Sequence, residues 1–195
     1  MSVIQSSKYC GVLIESCLLA VSQPAFAAGH ELTIEVVRDG DFITVKAQAE
    51  LRANPGVAWE VLTDYDHLAR FIPDMYSSRV LRREAGGVVV EQKGEFGFLF
   101  LRQPIEVTMA VSEEPQQRVL ARAIAGNMKD LEGLYELQPL ETGIRLRYHG
   151  RFVPDFFLPP LIGMPMVRRS LERRFRAMVE EIERRDALAS DKPKP

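Results

Sequence analysis

Near its C-terminus the chain encodes one long amphipathic helix, and almost nothing before it shares that pattern. From Met166 onward, Val167, Leu171, Phe175, Met178 and Ile182 recur at spacings of three and four, which aligns them in a single apolar stripe. The other face carries Arg and Glu. Glu172/Arg176, Glu180/Arg184 and Glu181/Arg185 stand in the favourable i,i+4 order, so this face is expected to be solvated and laced with ion pairs. Such a helix must lay its stripe on an apolar surface, and nearly everything between Glu31 and Phe152 reads as β-strand. One sheet with one long helix across it is the economical solution. The lead into the helix, Phe156 to Pro165, is rich in aromatic residues and proline, and suggests the rim of a ligand-holding grip.

The strands announce themselves by alternation and turn residues. Leu32–Val37 and Phe42–Ala49 alternate around Asp39-Gly40, a strong hairpin signal. Asn54-Pro55 marks a helix start, with Asn as cap and Pro at the first helical position. A second short helix, His67–Ile72, is expected to end at Pro73. An antiparallel meander follows: Ser78–Arg83, Val88–Phe96, Leu101–Val111, Arg118–Ala125, Leu131–Leu137 and Ile144–Phe152, with bulges or bends expected at Gly94 and Gly97. The fold class is therefore α+β, with a bent antiparallel sheet expected to hold about 6–7 strands from these eight segments, wrapped around the C-terminal helix. The apolar run Phe96–Phe100 is open to two readings, a membrane-touching loop or two strand ends and a bend.

At 195 residues the chain suits one domain with a real core. Its net charge of -2 gives no electrostatic ground for a nucleic-acid partner. Both cysteines, Cys10 and Cys17, fall in an N-terminal stretch that ends in Pro24 and Ala25-Phe26-Ala27. That pattern predicts a signal peptide over 1–27, cleaved after Ala27, and a periplasmic or secreted protein. The ligand-binding domain then spans 28–188, with a disordered polar tail over 189–195.

Two segments carry a family resemblance. The run Ala53 to Asp74, with Trp59, Leu62-Thr63-Asp64-Tyr65 and Phe71-Ile72-Pro73, resembles the opening segment of the START-like (SRPBCC) helix-grip superfamily. Its likeness is strongest to the polyketide cyclase/dehydrase-like or coenzyme Q-binding START branch. Lys129–Leu137 is similar to that family's Gly-x-aromatic-x-Leu strand, and the Pro-rich lead into a terminal helix agrees. The resemblance covers residues 32–185 and implies an apolar cavity between sheet and helix, in a family that binds lipids, quinones, hormones or polyketides and of which only some members are enzymes. It does not name the ligand, because fold does not fix function.

Candidate chemistry is sparse. The three histidines, His30, His67 and His149, form no metal-binding pair, and neither a Gly-x-Gly-x-x-Gly loop nor a Gly-x-Ser-x-Gly elbow is present, so no metal or cofactor is implied. Asp64, Asp66 and Asp74 read as helix caps and a turn residue. Glu91, Glu95, Glu132 and Glu136 lie on strands, where a buried one would be a proton-transfer candidate. Trp59 reads as core packing.

The candidate ligand-binding set is Leu68, Phe71, Met109, Tyr135, Tyr148, Phe152, Phe156, Phe157, Leu161, Met164 and Phe175, with access expected between Tyr65–Met75 and Phe156–Met164. Tyr135 and Tyr148 share the parity of apolar neighbours, so their hydroxyls are expected to point inward, toward either ligand carbonyls or backbone. The function expected is binding or carriage of a small hydrophobic ligand, quinone or lipid-like. An aromatase/cyclase-type enzyme and an envelope protein-interaction module are the alternatives. Transient membrane contact is compatible with this reading, and the oligomeric state is left open.

Overall fold

The computed structural model describes residues 32–98, 101–159 and 161–191. The leader pattern of residues 1–27 with its two cysteines, His30, Leu99-Phe100 and the terminal 192–195 lie outside the described residues.

The Asp39-Gly40 turn joins β1 (Thr33–Asp39) to β2 (Phe42–Leu51), as its sequence predicts. Asn54 caps α1 (Pro55–Leu62), its side-chain oxygen accepting from the Gly56 N–H at 2.7 Å. The second short helix is a 3-10 helix at Tyr65–Arg70, starting two residues earlier than expected. Six strands follow: β3 (Met75–Glu84), β4 (Gly87–Phe98), β5 (Leu101–Glu114), β6 (Arg118–Gly126), β7 (Met128–Leu140) and β8 (Gly143–Pro154). The last element, α2 (Gly163–Ser190), begins three residues before the periodic pattern and continues through Ala189 and Ser190.

All strands join one antiparallel sheet in the order β1-β2-β8-β7-β6-β5-β4-β3. The sheet thus has 8 strands where about 6–7 were expected, because all eight segments marked by alternation pair into it. After α1 and the 3-10 helix the chain starts a new edge at β3 and then walks back, strand by strand, until β8 docks beside β2. Period-2 alternation fixes the inner face. Ile43, Val45, Ala47, Ala49 and Leu51 of β2 meet Phe152, Gly150, Tyr148, Leu146 and Ile144 of β8 in register.

The helix closes that face. Val167, Val179 and Ile182 are fully buried, and Phe175 and Met178 nearly so. The expectation that the Arg and Glu of α2 are solvated needs correction on one flank. Glu181 is buried, holding both Arg184 and Arg185, each at 2.7 Å. Arg185 also donates to Asp64 at 2.9 Å, and Asp64 is hydrogen-bonded to His67 Nδ1 at 2.6 Å. Asp64 therefore fastens the 3-10 helix to α2, where the sequence suggested a helix cap; its side chain makes no cap hydrogen bond. Asp66 likewise reaches across to the Val80 N–H at 2.8 Å.

The hydrogen bond from Arg184 draws the Glu181 carboxyl down to about 2; burial works against it, and Arg185 adds to the lowering. A carboxylate held below its ordinary value of 4.5 contributes stability at pH above that value and loses it as pH falls through about 2. The unfolding midpoint should therefore fall between pH 4.5 and 2. Glu181→Gln should cost roughly 2 kcal/mol at neutral pH, discounted for the exposed arginine, and should flatten that acid limb. Thermal denaturation as a function of pH measures both.

Candidate functional site

The helix and sheet do not meet everywhere. Between them lies a cavity of ≈ 210 Å³. Its cause is visible in one row of cross-strand neighbours. Val45 of β2 faces Gly150, Gly150 faces Gly133, and Gly133 faces Ala121 of β6. Three successive inward positions with little or no side chain leave room beneath α2; the Tyr148 ring takes the part over the glycine pair, and the part beside Gly133 and Ala121 belongs to the cavity.

The adjacent row carries the phenols. Tyr135 and Tyr148 are directly opposed across β7 and β8, with ring centroids 4.6 Å apart. The Tyr148 ring lies down over the glycine pair, so close that a methyl group on Gly150 would stand 2.6 Å from the hydroxyl and one on Gly133 3.1 Å from it. The glycines are thus what permit this ring position. Both phenols are half-buried against the core, and neither hydroxyl has a hydrogen-bond partner among the described residues. Of the two outcomes left open by sequence, bonding to backbone is the one that does not occur. Burial pushes the Tyr148 hydroxyl up to about 12, and pushes Tyr135 higher still, with the neighbouring Tyr148 adding to the effect. Both are neutral donors at ordinary pH.

The third polar group comes from α2. Arg174 lines the cavity, and its Nη2 donates to the carbonyl of Glu95 at 2.8 Å and to that of Asp74 at 3.3 Å. These carbonyls meet at a bulge. Asp74 adopts a left-handed φ of 58°, and Gly94 passes so near that a Cβ there would lie 2.3 Å from the Asp74 carbonyl oxygen. The bulge expected at Gly94 thus exists, with the register shift on the facing strand between Met75 and Ser77, whereas β4 pairs with β5 regularly through Gly97. The guanidinium also sits 5.4 Å from the centre of Phe96, which stacks on Phe152 and packs against Phe156. Phe96–Phe98 belongs to β4, while Leu99 and Phe100 of that run lie outside the described residues. Burial lowers the Arg174 pKa, and the charge of Asp74 partly offsets this. Its Nε is buried without a hydrogen-bond partner.

Of the predicted ligand-binding residues, Leu68, Met109, Tyr135, Tyr148, Phe152 and Phe175 line the cavity. The other five do not. Phe71 turns to the opposite flank, beneath Arg185. Phe156 packs on Phe96, Met164 packs against the core, and Phe157 and Leu161 are 78% and 89% exposed. The lead into α2 therefore supplies none of the lining residues, and the side wall comes from Tyr65, Leu68, Ile72 and Met75. Close packing of buried Leu158 against Gly163 folds that lead away from the interior.

The strand glutamates are engaged elsewhere. Glu91 pairs with Arg79, Glu95 with Arg102 and Glu132 with Arg122, and no carboxylate or histidine is among the described lining residues. Trp59 packs against the core, as expected. Among the described residues no group of His, Cys, Asp or Glu is arranged to hold a metal ion.

Sequence reasoning missed Arg174. The signal was present: it stands three residues after Leu171 and four before Met178, on the stripe itself. A cation in line with an apolar stripe is not on the solvated face.

The profile of the family described as "Polyketide cyclase / dehydrase and lipid transport" matches residues 43–185. The chain belongs to this family. Its fold is that of the START-like helix-grip superfamily. The Zhui aromatase/cyclase of Streptomyces sp. R1128 is similar with a TM-score of 0.63 at 17% identity, covering 76% of this chain and 96% of its own. A STAR-related lipid transfer protein fragment from Xanthomonas axonopodis gives 0.62 at 13%, covering 77% and 93%. The protein TTHA0849 from Thermus thermophilus gives 0.61 at 16%, covering 76% and 99%. No curated protein shows a significant sequence match.

The glycine pair and the phenol above it should be energetically coupled. Gly150→Ala should destabilise the fold by about 1–3 kcal/mol, because the Tyr148 ring must move. In a Tyr148→Ala background the same change should cost much less. A double-mutant cycle by urea denaturation reads the coupling directly.

Proposed function

We propose that the protein binds and carries a small hydrophobic ligand, of the isoprenoid quinone or lipid type, in the cavity between the sheet and α2. The observation that carries this reading is the gap beside Gly133 and Ala121, walled by apolar side chains and furnished with two phenols that have no protein partner among the described residues. Each methylene transferred from water into such a space contributes roughly 0.8 kcal/mol. The volume lies below the usual range of about 300–1,000 Å³ for small-molecule sites, which favours a short chain or one segment of a longer one.

Binding rather than turnover is favoured by the lining. General acid–base work near neutral pH calls for a group poised near that pH. The titratable hydroxyls in the cavity are instead pushed away from it by burial. The leader pattern of residues 1–27 supports carriage in an envelope or extracellular compartment, which N-terminal sequencing of the exported protein would test.

Native mass spectrometry of the purified protein, followed by lipid extraction, should recover a bound hydrophobic compound. Ala121→Phe places a ring over the small-residue row. It should reduce that occupancy at least tenfold while leaving the circular dichroism spectrum unchanged. Full occupancy in this variant, or a wild-type protein that never binds lipid or quinone, would count against the reading.

A further inference from the structure

The polar groups of the cavity that lack a side-chain partner are donors. Arg174 and the two phenols present N–H and O–H donors, whereas the other polar side chains of the lining are engaged, Tyr65 with Glu113, Gln92 with Ser78 and Lys93 with Glu106. A ligand head that satisfies all three must be an acceptor.

Charge narrows the choice. Lys93 also lines the cavity, and its ammonium is paired with Glu106 at 3.4 Å. Arg174 has no such partner. The Asp74 carboxylate is taken by Arg173, and the Glu95 carboxylate by Arg102. Arg174 touches only the backbone carbonyls of those two residues. Two carboxylates therefore serve three guanidiniums here; Arg173 and Arg174 both have an unpartnered Nε, and the guanidinium left without an ion pair is that of Arg174 at the cavity. The Asp74 charge, bonded to Arg173, offsets the burial of Arg174 only in part, and burying a cation whose direct hydrogen bonds are all to neutral dipoles is costly. A neutral carbonyl head would accept hydrogen bonds but leave that charge uncompensated, whereas an anionic head would offset it.

Resting on the carrier reading above, we propose that the ligand is an amphiphile with a negatively charged, acceptor-only head, of the carboxylate class. The head sits between Arg174 and the Tyr135/Tyr148 pair. The apolar tail runs past Gly133 and Ala121, beyond the part of the row that the Tyr148 ring covers. Arg174 is the specificity-determining residue, and the phenols orient the head.

The test uses the full chain stripped of lipid, titrated at neutral pH with decanoate, decan-1-ol, methyl decanoate and a short-chain benzoquinone. Decanoate should bind tightest, by about tenfold or more over the alcohol and ester, the worth of a charge-assisted hydrogen bond. Arg174→Met should erase that preference while keeping decan-1-ol binding, and Arg173→Met should leave the preference intact. Tyr148→Phe should weaken decanoate binding severalfold, which keeps the idea testable if Arg174→Met does not fold. Equal affinity for acid and alcohol, or tighter binding of the quinone, would overturn the head-group assignment and leave the apolar cavity standing as a carrier site. Binding of none of the four probes would overturn both.

Discussion

The structure depends on one imperfect fit: a helix with a continuous apolar stripe laid over a sheet whose inner face is not continuously bulky. Where β2 and β8 offer Ile43, Ile144, Leu146 and Leu51, the helix finds full contact, and Val167, Val179 and Ile182 are sealed from solvent. Where the row passes through Gly150, Gly133 and Ala121, contact is lost. Protein interiors are packed to crystal-like density, so an unfilled space of this kind forfeits dispersion contacts on every side. The bulk of the core absorbs that loss, and the hydrophobic surface it leaves unsatisfied is what a ligand can claim.

Polarity within the gap follows a similar logic. A buried guanidinium is tolerated because the Asp74–Gly94 bulge turns two backbone carbonyls toward it and because Phe96 supplies a π face. Neither feature supplies negative charge. The half-buried phenols have the same incompleteness: the glycine pair makes room for the Tyr148 ring, Tyr135 lies against it, and neither hydroxyl has a partner among the described residues. Buried polar groups in proteins are nearly always bonded. Three incompletely bonded donors at one end of one cavity are more economically explained by a shared acceptor than by three separate defects.

Much of this was legible in the sequence because the signals are local. The Asp39-Gly40 hairpin, the Asn54 cap, the inward parity of Tyr135 and Tyr148 and the stripe of α2 each depend on residues within a turn or two of one another. What could not be read locally was which inward residues face a void. That depends on register between strands distant in sequence, such as Val45 against Gly150 and Ala121 against Gly133. The same limit explains Phe157 and Leu161. Bulky apolar residues beside an expected opening suggest a lining, yet the lead to α2 carries them outward. Arg174 is the instructive miss, since position on the stripe argued for the interior while residue type argued for the surface, and type was given too much weight.

Position also explains how the cavity is kept closed on one side. The wall formed by Tyr65, Leu68, Ile72 and Met75 lies in the segment between Asp64 and Asp74. Each of these aspartates pairs with an arginine of α2, Asp64 with Arg185 and Asp74 with Arg173. The two arginines are separated along the helix by about 18 Å at 1.5 Å per residue. A segment that is largely 3-10 in character, rising about 2 Å per residue, spans nearly the same length between the aspartates. The wall and the helix therefore run side by side in opposite directions, fastened at both ends by partly exposed ion pairs and between them by apolar contact. The same segment is also tied to the sheet, where the Tyr65 hydroxyl donates to Glu113 at 2.8 Å and Asp66 accepts from the Val80 N–H at 2.8 Å. With Tyr65, Leu68 and Ile72 buried in the core, the wall is held from both the helix and the sheet.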